Sequence, residues 1–275
     1  MALSGSKNFE PDVAEYIEEA FERCGLQLRT GYDARTARRS LNLLFADWAN
    51  RGLNLWTVAE VTQTVASGIT EYPLGTITLT VADSSSFTIG ETITGGTSAV
   101  TASVITKPLS TSMTITVPSG TFTAAETITG SSSGATTTVS SVPSLSDVQS
   151  SVDILSAVVR RSSTDISIIR YYVDRLITPV YRIWPSPENS TDQIIYDRIV
   201  RIDDADASVN TVEVPWRFYP CLSAGLAYYL AIKKSPERVQ LLKSIYEEEF
   251  VRAASEDQDR VPLTLVPTAS SLRAV

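Results

Sequence analysis

Phe87-Thr88-Ile89-Gly90-Glu91-Thr92-Ile93-Thr94-Gly95 recurs as Phe122-Thr123-Ala124-Ala125-Glu126-Thr127-Ile128-Thr129-Gly130. Upstream, Thr78-Leu79-Thr80-Val81 matches Thr114-Ile115-Thr116-Val117 with one residue of slippage, and downstream Val104 matches Val139. Each unit of about 35 residues reads as strand, turn, strand, turn, strand. A β face of that size cannot be buried alone, so the two copies are expected to pack pseudo-symmetrically into one small sandwich or barrel. Ser and Thr fill roughly half of residues 76–142, and only Asp83, Glu91, Lys107 and Glu126 are charged there. Low complexity suits a linker, yet Val, Ile and Phe alternate with Thr throughout, which is the pattern of half-buried antiparallel strands. The expectation is an inserted all-β domain over residues 76–145.

Outward from this segment the composition is that of an ordinary globular chain. Val13, Tyr16, Ile17, Ala20, Phe21 and Cys24 share one helical face, predicting a first helix from about Pro11 to Cys24 with Gly25 as its stop. Asp33 is expected to cap a second helix, whose apolar stripe is Ala37, Leu41, Leu44, Phe45 and Trp48. Val58 to Leu74, Val152 to Val159, Ile166 to Tyr172, Tyr181 to Trp184 and Gln193 to Ile202 read as strands, with Pro185-Ser186-Pro187 a rigid turn. Pro215-Trp216 opens a helix apolar all round through Cys221, Leu222, Leu226 and Leu230, the expected central packing element. Ser235-Pro236-Glu237 starts a last helix, to about Ser255. The fold class is therefore α+β: a mainly helical core with a small antiparallel sheet, formed discontinuously by residues 1–75 and 146–259, plus the inserted β-domain and an extended tail over 260–275.

The chain has 275 residues, a net charge of -8 and no histidine. That excludes imidazole triads and His-based metal sites, and two separated cysteines, Cys24 and Cys221, cannot build a thiolate zinc site. They are expected to be reduced and buried. The acidic balance argues against a protein that grips nucleic acid through phosphate contacts. No run is long and apolar enough for a membrane helix. Carboxylates remain as the only abundant catalytic class. The clusters Glu15, Glu18, Glu19, Glu22 and Glu247, Glu248, Glu249 sit on hydrophilic helix faces, where burial cannot raise a pKa far, so no acid/base pair stands out. Trp48, Trp56, Trp184 and Trp216 read as core, with a ligand platform as the alternative. No cofactor is expected.

Three stretches resemble a known family. Leu41-Asn42-Leu43-Leu44-Phe45-Ala46-Asp47-Trp48 leading to Gly52 and Trp56, Tyr181-Arg182-Ile183-Trp184-Pro185-Ser186-Pro187, and Val214-Pro215-Trp216-Arg217 are similar to motifs of the head-to-tail adaptor proteins of short-tailed bacteriophages. These are also called tail accessory or packaged-DNA stabilisation proteins. The resemblance implies a structural virion protein, not an enzyme, assembled in the host cytoplasm as a homo-oligomeric, twelve-fold ring. Such a ring has the portal protein above, a tail nozzle or other tail protein below, and DNA passing through without specific binding. Trp48, Trp56, Trp184, Pro185, Pro187, Pro215 and Trp216 would form its motif core. The Thr76 to Val142 duplication departs from the family, and a tail fibre is a candidate partner for it. A fibre-anchoring or receptor-binding module and a carboxylate-dependent cell-wall hydrolase are the alternatives. For the ring, Arg35, Arg38 and Arg39 are expected to face Glu247, Glu248 and Glu249 of a neighbour, a solvated face being the plainer reading. Val261, Leu263, Leu265 and Val266 of the proline-bounded tail are expected to enter portal pockets.

Overall fold

The computed structural model describes residues 8–53, 56–161, 164–167 and 170–256. Helices α1 (Val13–Arg23) and α2 (Gly31–Asn50) come first, followed by strands β1 (Val58–Thr64) and β2 (Glu71–Pro73). The duplicated segment forms β3 (Thr78–Val81), β4 (Thr92–Gly95), β5 (Thr101–Leu109), β6 (Ser112–Ile115), β7 (Thr127–Gly130) and β8 (Thr136–Ser141). A one-turn helix α3 (Ser146–Gln149) leads to β9 (Ser151–Arg161), β10 (Thr164–Ser167), β11 (Arg170–Asp174), β12 (Val180–Trp184) and β13 (Gln193–Val200). Helices α4 (Tyr219–Lys234) and α5 (Val239–Glu256) close the chain's described part. The class is α+β. Contacts divide the chain into a helical unit, residues 1–55 with 202–275, and a β unit, residues 56–201. Residues 56–75 and 146–201, read from the sequence as part of the helical body, thus group with the barrel.

In the helical unit α4 is the hub, and it packs against α1, α2 and α5. Its buried residues run all round, from Cys221 and Leu222 through Leu226 and Ala227 to Leu230 and Ala231. Trp48 of α2 is fully buried and donates from Nε1 to Tyr246 Oη of α5 at 3.1 Å. The helix caps are explicit, and one assignment is corrected. Asp12 caps α1: its side chain accepts from Glu15 N–H while Glu15 reaches back to Asp12 N–H, a reciprocal capping box. Thr30, not Asp33, caps α2, because the Thr30 hydroxyl sits where the Asp33 amide needs an acceptor. Asp33 lies one turn in and pairs with Lys234.

The β unit holds two open antiparallel sheets, ordered β1-β13-β9-β10 and β11-β12-β2, and a closed barrel ordered β3-β6-β5-β4-β7-β8. The stretch Ile166 to Tyr172, expected as one strand, divides between β10 and β11, which pair with β9 and β12 in different sheets. Each half belongs to its own local hairpin, β9-β10 or β11-β12, and the residue composition, β-like in both halves, does not mark the boundary between them.

The barrel order is what a two-fold duplication dictates. Exchanging β3 with β6, β4 with β7 and β5 with β8 maps each strand pair onto another pair or onto itself. Equivalent hydrogen bonds recur: Gly90 N–H to the Val104 carbonyl at 2.8 Å and Ala125 N–H to that of Val139 at 2.9 Å. Ile93 and Ile128 point inward to a core with Leu79, Val81, Phe87, Val104, Met113, Ile115, Phe122 and Val139, while the flanking Thr92, Thr94, Thr127 and Thr129 face solvent.

The repeated Glu and terminal Gly have one joint explanation. Glu91 accepts from the Thr88 amide of its own repeat at 2.6 Å and from the Ser132 and Ser133 amides of the other at 3.1 and 2.9 Å. Glu126 does the same with Thr123 at 2.6 Å and with Thr97 and Ser98 at 3.1 and 2.9 Å. A Cβ on Gly130 would stand 2.6 Å from Glu91 Oε2, and one on Gly95 2.7 Å from Glu126 Oε2. Each repeat therefore ends in a glycine because the other repeat's carboxylate occupies the space.

Candidate assembly surfaces

The outer face of the three-stranded sheet is set by strand periodicity. On β12, Tyr181 and Ile183 turn inward, so Arg182 and Trp184 turn outward. Register places Arg170 opposite Trp184, Tyr172 opposite Arg182, and Arg182 opposite Glu71. The Arg170 guanidinium stands 5.9 Å from the Trp184 ring centroid, and Arg182 Nε donates to Glu71 at 2.9 Å. Trp184 is 67% exposed and Tyr172 66% exposed. Leu176 and Ile177, between β11 and β12, are also exposed. Behind Trp184, Pro185 and Pro187 line a groove of about 330 Å³ with Val65, Ile183 and Ile194. At the same groove Arg161 holds the buried Asp192 through Nε and Nη2, the latter at 2.7 Å, which depresses the Asp192 carboxyl.

Trp216 opens the helical unit's 3₁₀ turn Trp216–Phe218 and is 78% exposed. Phe218, two residues on, takes the buried place instead, its ring 5.5 Å from that of Trp48. The reading of Trp184 and Trp216 as core residues is thereby corrected, while Trp48 is core and Trp56 half-buried. Pro215 is half-buried in extended backbone and aims the chain into this turn.

The expected charge partners are redistributed. Arg38 donates to the Asp206 carbonyl within its own chain. Glu247 is held bidentately by Arg51 at 2.8 and 3.0 Å, and Glu249 by Arg252 at 3.1 Å. Arg35, Arg39 and Glu248 are exposed. The tail residues Val261, Leu263, Leu265 and Val266 lie outside the described residues.

Besides Asp192, the deeply buried carboxylates among the described residues are Glu91 and Glu126 of the barrel. Sequence reading passed over them, although isolated acids at equal places in an uncharged duplication were the available signal. Burial alone would raise Glu91, but the Ser133 and Thr88 amides, the Ser133 hydroxyl and the Ser132 amide outweigh it and hold the carboxyl at about 2. Glu126 is depressed by the same opposition. Both are ionised, saturated acceptors, the reverse of what a general acid requires. Cys24 and Cys221 are free and buried, and burial pushes the Cys221 thiol up to about 12. Their chemistry is that of packed thiols. No protein-family model matches the chain, and no curated protein is similar to it. Among the described residues the surface offers the exposed Trp184 and Trp216 and the exposed charges Glu18 and Glu22 of α1 and Arg35 and Arg39 of α2. Among the described residues no helix is long and apolar enough to cross a membrane.

Proposed function

We propose that this chain is a structural subunit of a phage head-to-tail adaptor ring, joining a portal to the tail around the DNA channel. The specific assignment rests on the resemblance of the three motifs. The observation that supports it is the exposure of Trp184 and Trp216, the tryptophans of two of those motifs, at 67% and 78%. Large exposed aromatics such as these are the anchors that protein interfaces bury, and Tyr172, Leu176 and Ile177 extend the exposed apolar area around Trp184. The net charge of -8 supports a channel role, since an acidic lumen lets a duplex slide where a basic one would hold it.

The test is to mix full-length protein with purified portal and image the complex. Wild type is expected to decorate portals as a ring. Trp184→Ala and Trp216→Ala are each expected to weaken docking by about 30-fold, roughly 2 kcal/mol, with unchanged melting temperature because neither side chain is buried. Wild-type protein that leaves portals bare would overturn the adaptor reading.

A further inference from the structure

We infer that the helical unit associates head to tail with a second copy of itself, the basic stripe of α2 docking on the acidic face of α1 of the next copy. This inference rests on the ring reading and names the contact that builds the ring. Along the outer face of α2 run Tyr32, Arg35, Arg39 and Leu43, all exposed, with Tyr32 at 66% and Leu43 at 52%. Along that of α1 run Glu15, Glu18 and Glu22, also exposed. Glu15 is engaged in the α1 cap, and Glu19 pairs with Arg23 at 2.7 Å. Glu18, Glu22, Arg35 and Arg39 have no ion-pair partner among the described residues, in particular not one another.

Glu18 and Glu22 are four residues apart on one helix, as are Arg35 and Arg39 on the other. Like charges at that spacing destabilise a helix slightly, a local cost that an oppositely charged partner relieves. The spacing also matches: a four-residue step rises about 6 Å in either helix, so both arginines meet both glutamates when the helices lie side by side. The exposed Tyr32 and Leu43 bracket the arginines and supply apolar area that charge alone lacks. A second copy is the occupant because one unit carries both signs on two different faces. A two-fold contact would also pair each basic stripe with the other copy's acids; the ring reading selects the heterologous contact, which repeats from copy to copy and closes where its rotation allows.

The experiment is sedimentation velocity on the full chain at about 50 mM and about 500 mM salt. Wild type is expected to assemble beyond monomer, more at low salt. The double variants Arg35→Glu/Arg39→Glu and Glu18→Lys/Glu22→Lys should each be monomeric, with unchanged helical circular dichroism because all four side chains are exposed. An equimolar mixture of the two variants, and the quadruple swap in one chain, should regain assembly. Doubles that assemble like wild type, a mixture that stays monomeric while both components are folded, or a monomeric wild type each overturn the inference. A wild type that is monomeric in solution yet decorates portals would sink this contact and leave the adaptor reading standing.

Discussion

At the scale of the residue, the barrel is governed by two carboxylates that swap repeats. Glu91 and Glu126 are each nearly sequestered from water, and each satisfies the turn after the other repeat's central strand. The sign of the resulting pH dependence follows from Glu91 being held at about 2, below its ordinary value of 4.5. A depressed carboxyl contributes stability that is complete above the unfolded value and is lost as pH falls through the folded one. The barrel should therefore melt at a constant temperature above about pH 5 and weaken progressively between about 4.5 and about 2. Glu91→Gln keeps the shape but replaces charge-assisted acceptors by an amide whose NH₂ meets the Ser132 and Ser133 N–H groups. It should cost about 1.5–3 kcal/mol at pH 7 and flatten the acid slope. Thermal melts of both proteins from pH 2 to 7 check this, and equal melting temperatures at pH 7 would refute it. Ala125 and Ala99 occupy left-handed backbone, at φ 63° and 57°, where the other repeat has Gly90 and Gly134. The duplication has thus kept the backbone while letting one of each glycine pair drift.

At the scale of the element, the point where the barrel joins its sheet is held by one buried arginine. Arg198 of β13 donates to the Asp147 carbonyl at 3.0 Å and to Ser151 Oγ at 2.7 Å, and it pairs with the Asp147 carboxylate. Asp147 in turn accepts from Thr76 N–H at 2.8 Å, so the chain's way into the barrel and its way out are tied together. Tyr196 adds a second tie by accepting from Gly75 N–H at 3.0 Å. Arg198→Met should cost about 1.5–2 kcal/mol, because it removes the donor from the Asp147 and Leu74 carbonyls and from Ser151 Oγ, while the half-exposed Asp147 carboxylate keeps water and the Thr76 amide. A drop in the denaturation midpoint with unchanged slope would bear this out, and an unchanged midpoint would refute it. None of this was legible in the sequence, where Arg198 looks like any charged residue alternating along a strand. The hub helix α4 was legible, because an all-round apolar helix has only one place to go. The cap of its neighbour α2 was misplaced by three residues, since Asp33 carries a helix-start signal as strong as that of Thr30. Trp184 was misread for a related reason. Its bulk suggested core, yet it stands two residues from Arg182 and hence on the same face, with Tyr181 and Ile183 turned the other way.

At the scale of the whole molecule, the duplicated segment is close to self-sufficient but not entirely so. Closure into a barrel leaves no open edge, and the barrel's core is contributed by its own strands with Val148 of α3. The exception is Ile105 of β5, which packs not into the barrel but into the core of the open sheets, with Tyr72, Tyr181 and Tyr196. Which helix charges are engaged within the chain was not legible in the sequence and emerged only from the fold, where Arg38, Glu247 and Glu249 find partners in their own chain. For the barrel, the sequence-based division at residue 145 cuts one turn too early, before Val148. Residues 76–150 carrying Ile105→Thr should therefore fold alone, giving dispersed amide resonances and a cooperative melt, whereas a segment ending at residue 142 should be less stable for want of Val148. Excision from the full chain should in turn weaken the remaining sheets by about 2–4 kcal/mol, the cost of an emptied isoleucine site. A single repeat, residues 76–111, should not fold at all. Its Glu91 would lose the Ser132 and Ser133 amides, the space against Gly130 would be gone, and β4 would have no β7 to pair with. If residues 76–111 gave a cooperative melt as a monomer, the swapped carboxylates would not be what binds the two halves into one fold.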